Sequence, residues 1–394
     1  MRILHVTPLY APAWHFGGVV RSVSTLAEEC AVRGVEVSVI TTGTGTPHEG
    51  KKATQHEVRQ GVSVAYCSAT PTPIGLMSSA MTRSVEDALQ HTDVCHITGV
   101  WQPSVLKAAR LCHQMGIPYV TSPRGALSPY SFRDGRLKKA AYYACFERSL
   151  QRQAAAIHAT SPLEQRELCS LLPGANVVVI ANICESTRWM PEPERGKQWR
   201  NEHGIAADTP LFLHVGRIEP KKNLPFLGEV ARLLPRSLPW QFVLVGPAEP
   251  AELARVRASF RYDPRRLTVI SGTGSDDVLR AIYSAATCFV MPSFHENFAN
   301  VIVEAVFCGA RVLASTHVGV AEMLPASPRV RMLPLDRNVW ASVLSDICDA
   351  GGTLLPADPA SATRNTFSAE VVIQQMLHLY NHLLSASREA TTYG

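Results

Sequence analysis

The sequence predicts an α/β protein made of two doubly wound parallel-sheet domains. Three observations carry the prediction. Short apolar runs alternate with helix-length segments along nearly the whole chain. The runs are continuously apolar rather than alternating, as in strands covered by helices on both faces. The strand–helix rhythm breaks once, near the middle, at a polar stretch with two prolines, and then restarts. A length of 394 residues suits two domains.

In the first half, strands are expected at 3–6, 35–41, 94–97, 119–121, 155–159 and 177–180. Segments 18–33 and 103–115 between them are apolar at helical spacing. The second series of strands is expected at 211–215, 242–245, 267–270, 288–291 and 312–314. The predicted organisation is a first domain over 1–182, a linker over 183–204 and a second domain over 205–368. A long amphipathic helix follows over 369–394, placed to cross back to the first domain.

Composition removes several classes. The chain is 46% hydrophobic and 18% charged, as in a folded globular enzyme and unlike a disordered chain. No run approaches the ~18 apolar residues of a membrane span. The opening run is ended by Pro8 and lacks a cleavage site, so it reads as a buried strand and the expected location is cytoplasmic. Ten cysteines show no C-x-x-C pair or zinc spacing. Cys95, Cys145, Cys288 and Cys308 sit in apolar runs and read as reduced core thiols. No metal site is expected.

Open α/β sheets bind ligands at the carboxyl ends of their strands, so residues just after each strand carry the functional argument. After the first strand, Gly17 and Gly18 lead into a helix. Paired glycines let a backbone approach a ligand closely, although a plain strand–helix turn has the same look. The G-x-G-x-x-G dinucleotide fingerprint is absent. After 211–215 comes Gly216, with Arg217 and Lys222 five residues apart. Two cations at a strand end suit a diphosphate, and a solvated basic loop is the plainer alternative. Gly246 makes a similar turn after 242–245.

The stretch after 288–291 is PSFHENFANVIVEAVFCG. Its helix is expected to start near Ala299 or Asn300 and to end at Gly309. Glu296 then lies in the loop, ahead of the main-chain N–H groups of Asn297, Phe298 and Ala299. Those groups suit hydroxyl or oxyanion ligands. Glu304 lies in the helix among Val301, Ile302, Val303, Ala305 and Val306. A carboxylate so placed needs a partner or a polar ligand.

These motifs resemble the GT4 family of retaining glycosyltransferases with the GT-B fold, and in particular group 1 bacterial polysaccharide and O-antigen transferases. The resemblance spans nearly the whole chain. It rests on MRILHVTPLY…GGV, on the GR-x4-KN motif at 216–223, on the E-x7-E motif within PSFHENFANVIVEA, and on the following GARVLAS and GVAE. It implies two Rossmann-like domains facing across a cleft, with the acceptor bound by the first and a nucleotide-sugar donor by the second. Arg217 and Lys222 would hold the diphosphate, Glu304 the ribose and Glu296 the transferred sugar. The amides of Asn297, Phe298 and Ala299 would reach sugar hydroxyls and phosphate, while Gly17 and Gly18 pass close to the phosphates and acceptor.

No D-x-D motif appears, as in transferases that use protein cations in place of a metal, and no cofactor is implied beyond the donor as co-substrate. The sequence departs from the family in three places. Pro123 and Arg124 stand where many relatives carry a histidine. ANIC at 181–184 replaces P-N-G. Asn297 and Ala299 replace common glycines. Arg124 is carried forward as a substrate-binding candidate of local electrostatic effect.

Net charge is +5. Residues 1–182 hold 17 basic and 12 acidic side chains, and residues 183–394 hold 21 of each, so the excess lies in the first half. Segment 133–152 alone carries six basic residues, Arg133, Arg136, Lys138, Lys139, Arg148 and Arg152, against two acidic ones. Leu137, Ala141, Ala144 and Cys145 add an apolar stripe. Such a segment suits an anionic membrane surface or a charged helix packing its apolar side inward. Nucleic acid fits poorly, for want of a basic stripe elsewhere. The expected partners are a nucleotide sugar linked to UDP or GDP and a glycan or polyprenyl-diphosphate acceptor. The expected role is cell-surface polysaccharide synthesis, including lipopolysaccharide or exopolysaccharide, at the inner face of the membrane. The alternatives are an epimerase of similar architecture and a non-catalytic partner subunit.

Overall fold

The computed structural model describes residues 1–392 except 73–74, 134, 273–274, 326–328 and 351–360. Asp134 of the basic segment and the last two residues of the predicted C-terminal helix thus lie outside the described residues. The chain divides into two compact units, Met1–Ile183 with Phe367–Gly394, and Cys184–Thr366.

The first unit holds β1 (Arg2–Val6), β2 (Glu36–Thr42), β3 (Gln55–Arg59), β4 (Val62–Cys67), β5 (Thr70–Thr72) and β6 (Gly75–Met77). It continues with β7 (Val94–Thr98), β8 (Tyr119–Ser122), β9 (Ala156–Ala159) and β10 (Val177–Val179). Eight of them form one sheet in the order β10-β9-β8-β7-β1-β2-β4-β3, and β5 and β6 form a separate hairpin. The sheet is parallel except for β3, which pairs antiparallel with β4 at the edge. The sequence hides β3 because it alternates charged and apolar residues and has no apolar run. Charged Glu57 and Arg59 on an edge strand also discourage further pairing.

Helix Gly18–Val32 covers the sheet through Val20, Val23, Leu26, Ala27 and Cys30, which are all buried at helical spacing. The C-terminal helix Ala369–Thr392 belongs to this unit. It buries Val372, Ile373, Met376 and Tyr380, and the Tyr380 hydroxyl meets His96 Nδ1 at 2.6 Å.

The second unit holds β11 (Leu211–Val215), β12 (Gln241–Val245), β13 (Leu267–Ile270), β14 (Cys288–Met291), β15 (Arg311–Ser315) and β16 (Val330–Leu333). They form one sheet in the order β13-β12-β11-β14-β15-β16, parallel at every pairing. β11 and β14 are buried along their whole length. Phe212, Phe242, Leu244 and Val290 make the core under helix Arg337–Asp349, whose Trp340 is fully buried. β16 was not expected from the sequence, because Val330–Leu333 alternates Val-Arg-Met-Leu at a half-exposed sheet edge.

Residues 183–204, expected to be a linker running into a short helix, contain helix Pro193–Glu202, which lies against helix Asp276–Ala285. Arg200 anchors it by donating to the carbonyls of Ala285 at 2.8 Å and Thr209 at 2.8 Å. All ten cysteines are free thiols. Cys95, Cys288 and Cys308 are buried as expected, whereas Cys145 is exposed, because its segment turns its apolar side outward. Among the described residues, no helix is long and apolar enough to cross a membrane.

Candidate functional site

In the second unit, the ends of β12, β11, β14 and β15 lie side by side, and their following loops build one surface. β11 ends at Gly216 (φ 147°) and β12 at Gly246 (φ 145°). The register pairs Val215 with Val245, so the two glycines leave the sheet together. A Cβ on Gly246 would stand 2.1 Å from the Gly216 carbonyl oxygen, so close approach and positive φ both require glycine there.

From Gly216 the chain runs through a short 3-10 turn, Pro220–Lys222, which ends at Asn223 in the left-handed region (φ 53°). This turn aims Lys222 back across the sheet. Its Nζ donates to Glu296 Oε1 at 2.6 Å, joining two of the predicted site residues. Arg217 behaves differently. Its side chain is 57% exposed, with Glu219 Oε2 at 3.4 Å. An exposed pair of this kind holds the guanidinium only weakly.

Glu296 is anchored by its main chain as well. Its N–H donates to the His317 carbonyl at 2.8 Å, and its carbonyl accepts from Gly319 at 2.9 Å. The Phe294 N–H donates to the Lys221 carbonyl at 3.0 Å, tying this loop to the Lys222 turn. Glu296 is 7% exposed. Burial alone raises a carboxyl pKa, but the charges of Lys222 and Lys221, with the hydrogen bond from Lys222, hold Glu296 below the ordinary range. It is therefore an ionised, paired carboxylate.

Phe298 is buried, and Ala299 takes a left-handed conformation (φ 71°) directly before helix Asn300–Phe307. A glycine would adopt that backbone without strain; alanine adopts it here at some cost. Glu304 is buried one turn into the helix and accepts from the Tyr283 hydroxyl at 2.9 Å. The Tyr283 hydroxyl is pushed far up, first by burial and then by the Glu304 charge. The thiols of Cys184 and Cys308 are raised by the same two causes. The apolar neighbourhood read in the sequence is thus relieved by a partner from helix Asp276–Ala285.

His214, in the middle of β11, escaped notice in the sequence. It is buried beneath Gly216, and its Nδ1 donates to the Val290 carbonyl at 3.1 Å. Burial, then the charge of Lys222, pushes its pKa down to about 4, so it stays neutral. A histidine inside an otherwise apolar strand was the signal available.

In the first unit, Gly17 (φ 91°) precedes helix Gly18–Val32 as its cap, and a Cβ there would meet nothing within 4 Å. Conformation rather than crowding calls for that glycine. Trp14, Phe16 and Val19 around it are exposed. Arg124 follows β8 with φ 54°, and its Nη1 donates to Asn182 Oδ1 at 2.5 Å. The structure thus groups Gly216, Gly246, Lys222, Glu296, Phe298, Ala299 and Glu304 in the second unit, and Gly17, Gly18 and Arg124 in the first.

A model described as "Glycosyl transferase 4-like domain" matches residues 17–183, and one described as "Glycosyl transferases group 1" matches residues 209–341. The chain belongs to the GT4-like, group 1 glycosyltransferases. Among curated proteins of this family, the alpha-maltose-1-phosphate synthase of Mycobacterium tuberculosis is 28% identical over 253 residues. That match covers 58% of this chain, and the chain spans only 63% of that relative's length. The D-inositol 3-phosphate glycosyltransferase of Kineococcus radiotolerans is 27% identical over 80% of this chain and 77% of its own. A putative teichuronic acid biosynthesis glycosyltransferase of Bacillus subtilis is 24% identical over 88% of each.

Solved glycosyltransferase structures share the GT-B fold of this family. The sucrose-phosphate synthase of Thermosynechococcus elongatus superposes with a TM-score of 0.75 at 19% identity, covering 98% of this chain and 100% of its own. HepE of Anabaena, solved with UDP-glucose, gives 0.72 at 20% identity, covering 97% and 100%.

Proposed function

We propose that this glycosyltransferase is a retaining, metal-independent enzyme. It moves a hexose from a UDP- or GDP-linked donor to a glycan or lipid-linked acceptor during cell-surface polysaccharide synthesis. The observation that carries the reading is the buried Lys222–Glu296 pair at 2.6 Å, set beside two glycines at adjacent strand ends. Glycosyl transfer passes through an oxocarbenium-like state, so the largest need is to stabilise a departing diphosphate. Lys222 supplies a positioned charge for it, and the exposed Arg217 clamps the outer oxygens once the donor is in place. Glu296, ionised and shared with Lys222, faces the sugar and is neither nucleophile nor general acid. The leaving phosphate takes the acceptor proton on the same face, which preserves the anomeric configuration. Gly216 and Gly246 let the chain approach the nucleotide. The main-chain groups of Asn297, Phe298 and Ala299 contact sugar hydroxyls and phosphate, and Glu304 accepts from the ribose hydroxyls. In the first unit, Gly17, Gly18 and Arg124 contribute to acceptor binding.

A panel of UDP- and GDP-sugars, with diphosphate release as readout, tests the reaction on the intact protein. On the best donor, Glu304→Ala is expected to raise KM about tenfold, worth about 1.4 kcal/mol, with a smaller change in kcat. An unchanged KM would remove Glu304 from the donor site.

The basic segment supports peripheral attachment to an anionic membrane. It forms one helical run, helix Arg136–Tyr142 continuing through a π turn over Tyr143–Glu147 into helix Arg148–Gln153. Leu137 is 87% exposed and Phe146 44% exposed, among Arg136, Lys138 and Arg148. Apolar side chains pointing outward among cations match a surface helix in a lipid headgroup layer. Reversing Arg136, Lys138 and Lys139 to glutamate is expected to weaken binding to phosphatidylglycerol vesicles at least tenfold in a flotation assay. Equal binding by the variant would remove the membrane role.

A further inference from the structure

We infer that Arg124 anchors an oxyanion carried by the acceptor, a phosphate or carboxylate group, at the carboxyl end of β8. The inference deepens the transfer reaction proposed above and names the acceptor chemistry that the first unit is built to take.

The ground for it is a half-buried cation whose guanidinium is left partly unpaired. Arg124 Nη1 donates to the neutral amide of Asn182, and its buried Nε has no hydrogen-bond partner among the described residues. It forms no salt bridge among them. The acid that acts on it, Glu164, is already committed. Glu164 Oε1 accepts from the Gly125 N–H at 2.6 Å, and Oε2 accepts from the Thr160 N–H at 2.7 Å and the Thr160 hydroxyl at 3.1 Å.

The groups beneath Arg124 are also spent. His158 Nε2 lies 2.8 Å from the Ile180 carbonyl, which can only accept, so Nε2 carries the proton. His158 Nδ1 then accepts from the Ser122 hydroxyl at 2.9 Å. Ser122 Oγ accepts from His96 Nε2 at 2.7 Å, and His96 Nδ1 accepts from the Tyr380 hydroxyl at 2.6 Å. One carbonyl thus sets the direction of a four-bond relay through two neutral imidazoles. His5 stacks on His96 at 5.1 Å, and its ring makes no hydrogen bond among the described residues. Burial first, with the charge of Arg124 contributing in each, pushes the pKa of His5 down to about 4 and that of His158 to about 3, and lowers that of His96.

Arg124 is therefore a cation over neutral imidazoles, with Glu164 acting on it through space but hydrogen-bonded elsewhere. Burial lowers its pKa to about 10, which leaves it a cation at neutral pH. A buried cation is disfavoured without an anionic partner, and a planar guanidinium matches a phosphate or carboxylate through paired N–H groups. The relay holds it in place from both sides. Ser122 is two residues before Arg124, and Ile180 is two residues before its partner Asn182. The donor diphosphate is the weaker candidate for this anion, because Lys221, Lys222 and Arg217 serve it in the second unit.

The test is calorimetric titration of the intact protein with inorganic phosphate, in the presence of saturating UDP or GDP. Phosphate is expected to bind with the nucleotide present, to weaken at least tenfold in Arg124→Met, and to persist in Lys222→Ala. Asn182→Asp gives a second variant that keeps the arginine and supplies an internal counter-charge. It is expected to weaken phosphate at least tenfold with no loss of thermal stability, which settles the matter even if Arg124→Met unfolds. Phosphate binding indifferent to Arg124→Met and Asn182→Asp, or displaced by the nucleotide and lost in Lys222→Ala, would overturn the inference. Nucleotide binding measured in the same titrations reports on the transfer reaction separately. Its absence from the wild-type protein counts against that reaction and leaves the phosphate result to be judged by its own variants.

Discussion

Lys222→Ala is expected to lower kcat/KM for sugar transfer by about 10²–10³, the usual loss on removing one preorganised charge from a developing anion. Part of any loss could come from damage to the fold, and the pair's electrostatics separate the two. Glu296 is held below its ordinary pKa of 4.5 against the opposing pull of burial, chiefly by Lys222. A depressed carboxyl contributes stability that is fully present above the unfolded pKa and is lost as pH falls through the folded one. The wild-type protein should therefore keep this contribution at neutral pH and lose it below pH 4.5. Without Lys222, Glu296 is a buried carboxylate lacking its principal cation, which costs about 3–5 kcal/mol when one partner of a buried pair is removed. Adding Glu296→Gln removes that charge. The double variant is expected to recover most of the melting temperature and none of the transfer rate. Recovery of both would make the pair structural, and wild-type turnover in Lys222→Ala would end the donor-site assignment.

Gly246→Ala is expected to be the most damaging small substitution near the site. The new methyl group would stand 2.1 Å from the Gly216 oxygen and 2.7 Å from its carbonyl carbon, both backbone atoms that no rotamer change can move. The φ of 145° adds strain for any residue with a Cβ. Strain and overpacking each cost about 1–3 kcal/mol, so about 3 kcal/mol or more is expected in thermal or urea unfolding. The relief available is to push Gly216 and Arg217 away from the strand ends, so nucleotide affinity should fall along with stability. Gly17→Ala makes the instructive contrast. Its Cβ meets nothing within 4 Å, so only the φ of 91° opposes it, and the cost should be smaller. Equal melting temperatures for wild type and Gly246→Ala would show that the β11–β12 exit relaxes more easily than its geometry indicates.

Most of the parallel strands were legible because continuous apolar runs bounded by helical spacing have few other solutions, although the buried strand β4 was not expected. β11 and β14 are buried along their whole length, and the sequence shows it. Of the edge strands, β10 and β13 were legible, and β3 and β16 were not. β3 and β16 gain their place from the neighbour they pair with, and their own half-exposed residues carry little hydrophobic signal. At the site, a glycine or a charge just after a strand was readable, since chain direction alone puts it at the ligand end of the sheet. Pairing was not readable. Nothing in the spacing of residues 222 and 296, or of 283 and 304, says that the members of each pair meet.

The basic segment shows the same limit. Its charges and apolar stripe were visible, but which way the stripe faced was not, and Leu137 and Cys145 turned out exposed. By itself, then, the sequence determined two doubly wound units, the family, and the set of residues gathered at the strand ends. These follow from periodicity and from local motifs a few residues long. Only the tertiary structure decided that Lys222 rests on Glu296, that Tyr283 relieves Glu304, and that Arg124 lies over neutral histidines without a salt bridge among the described residues. Those are contacts between segments distant along the chain, made by sheet register and helix packing, and the charge state of each group depends on the neighbours that packing supplies.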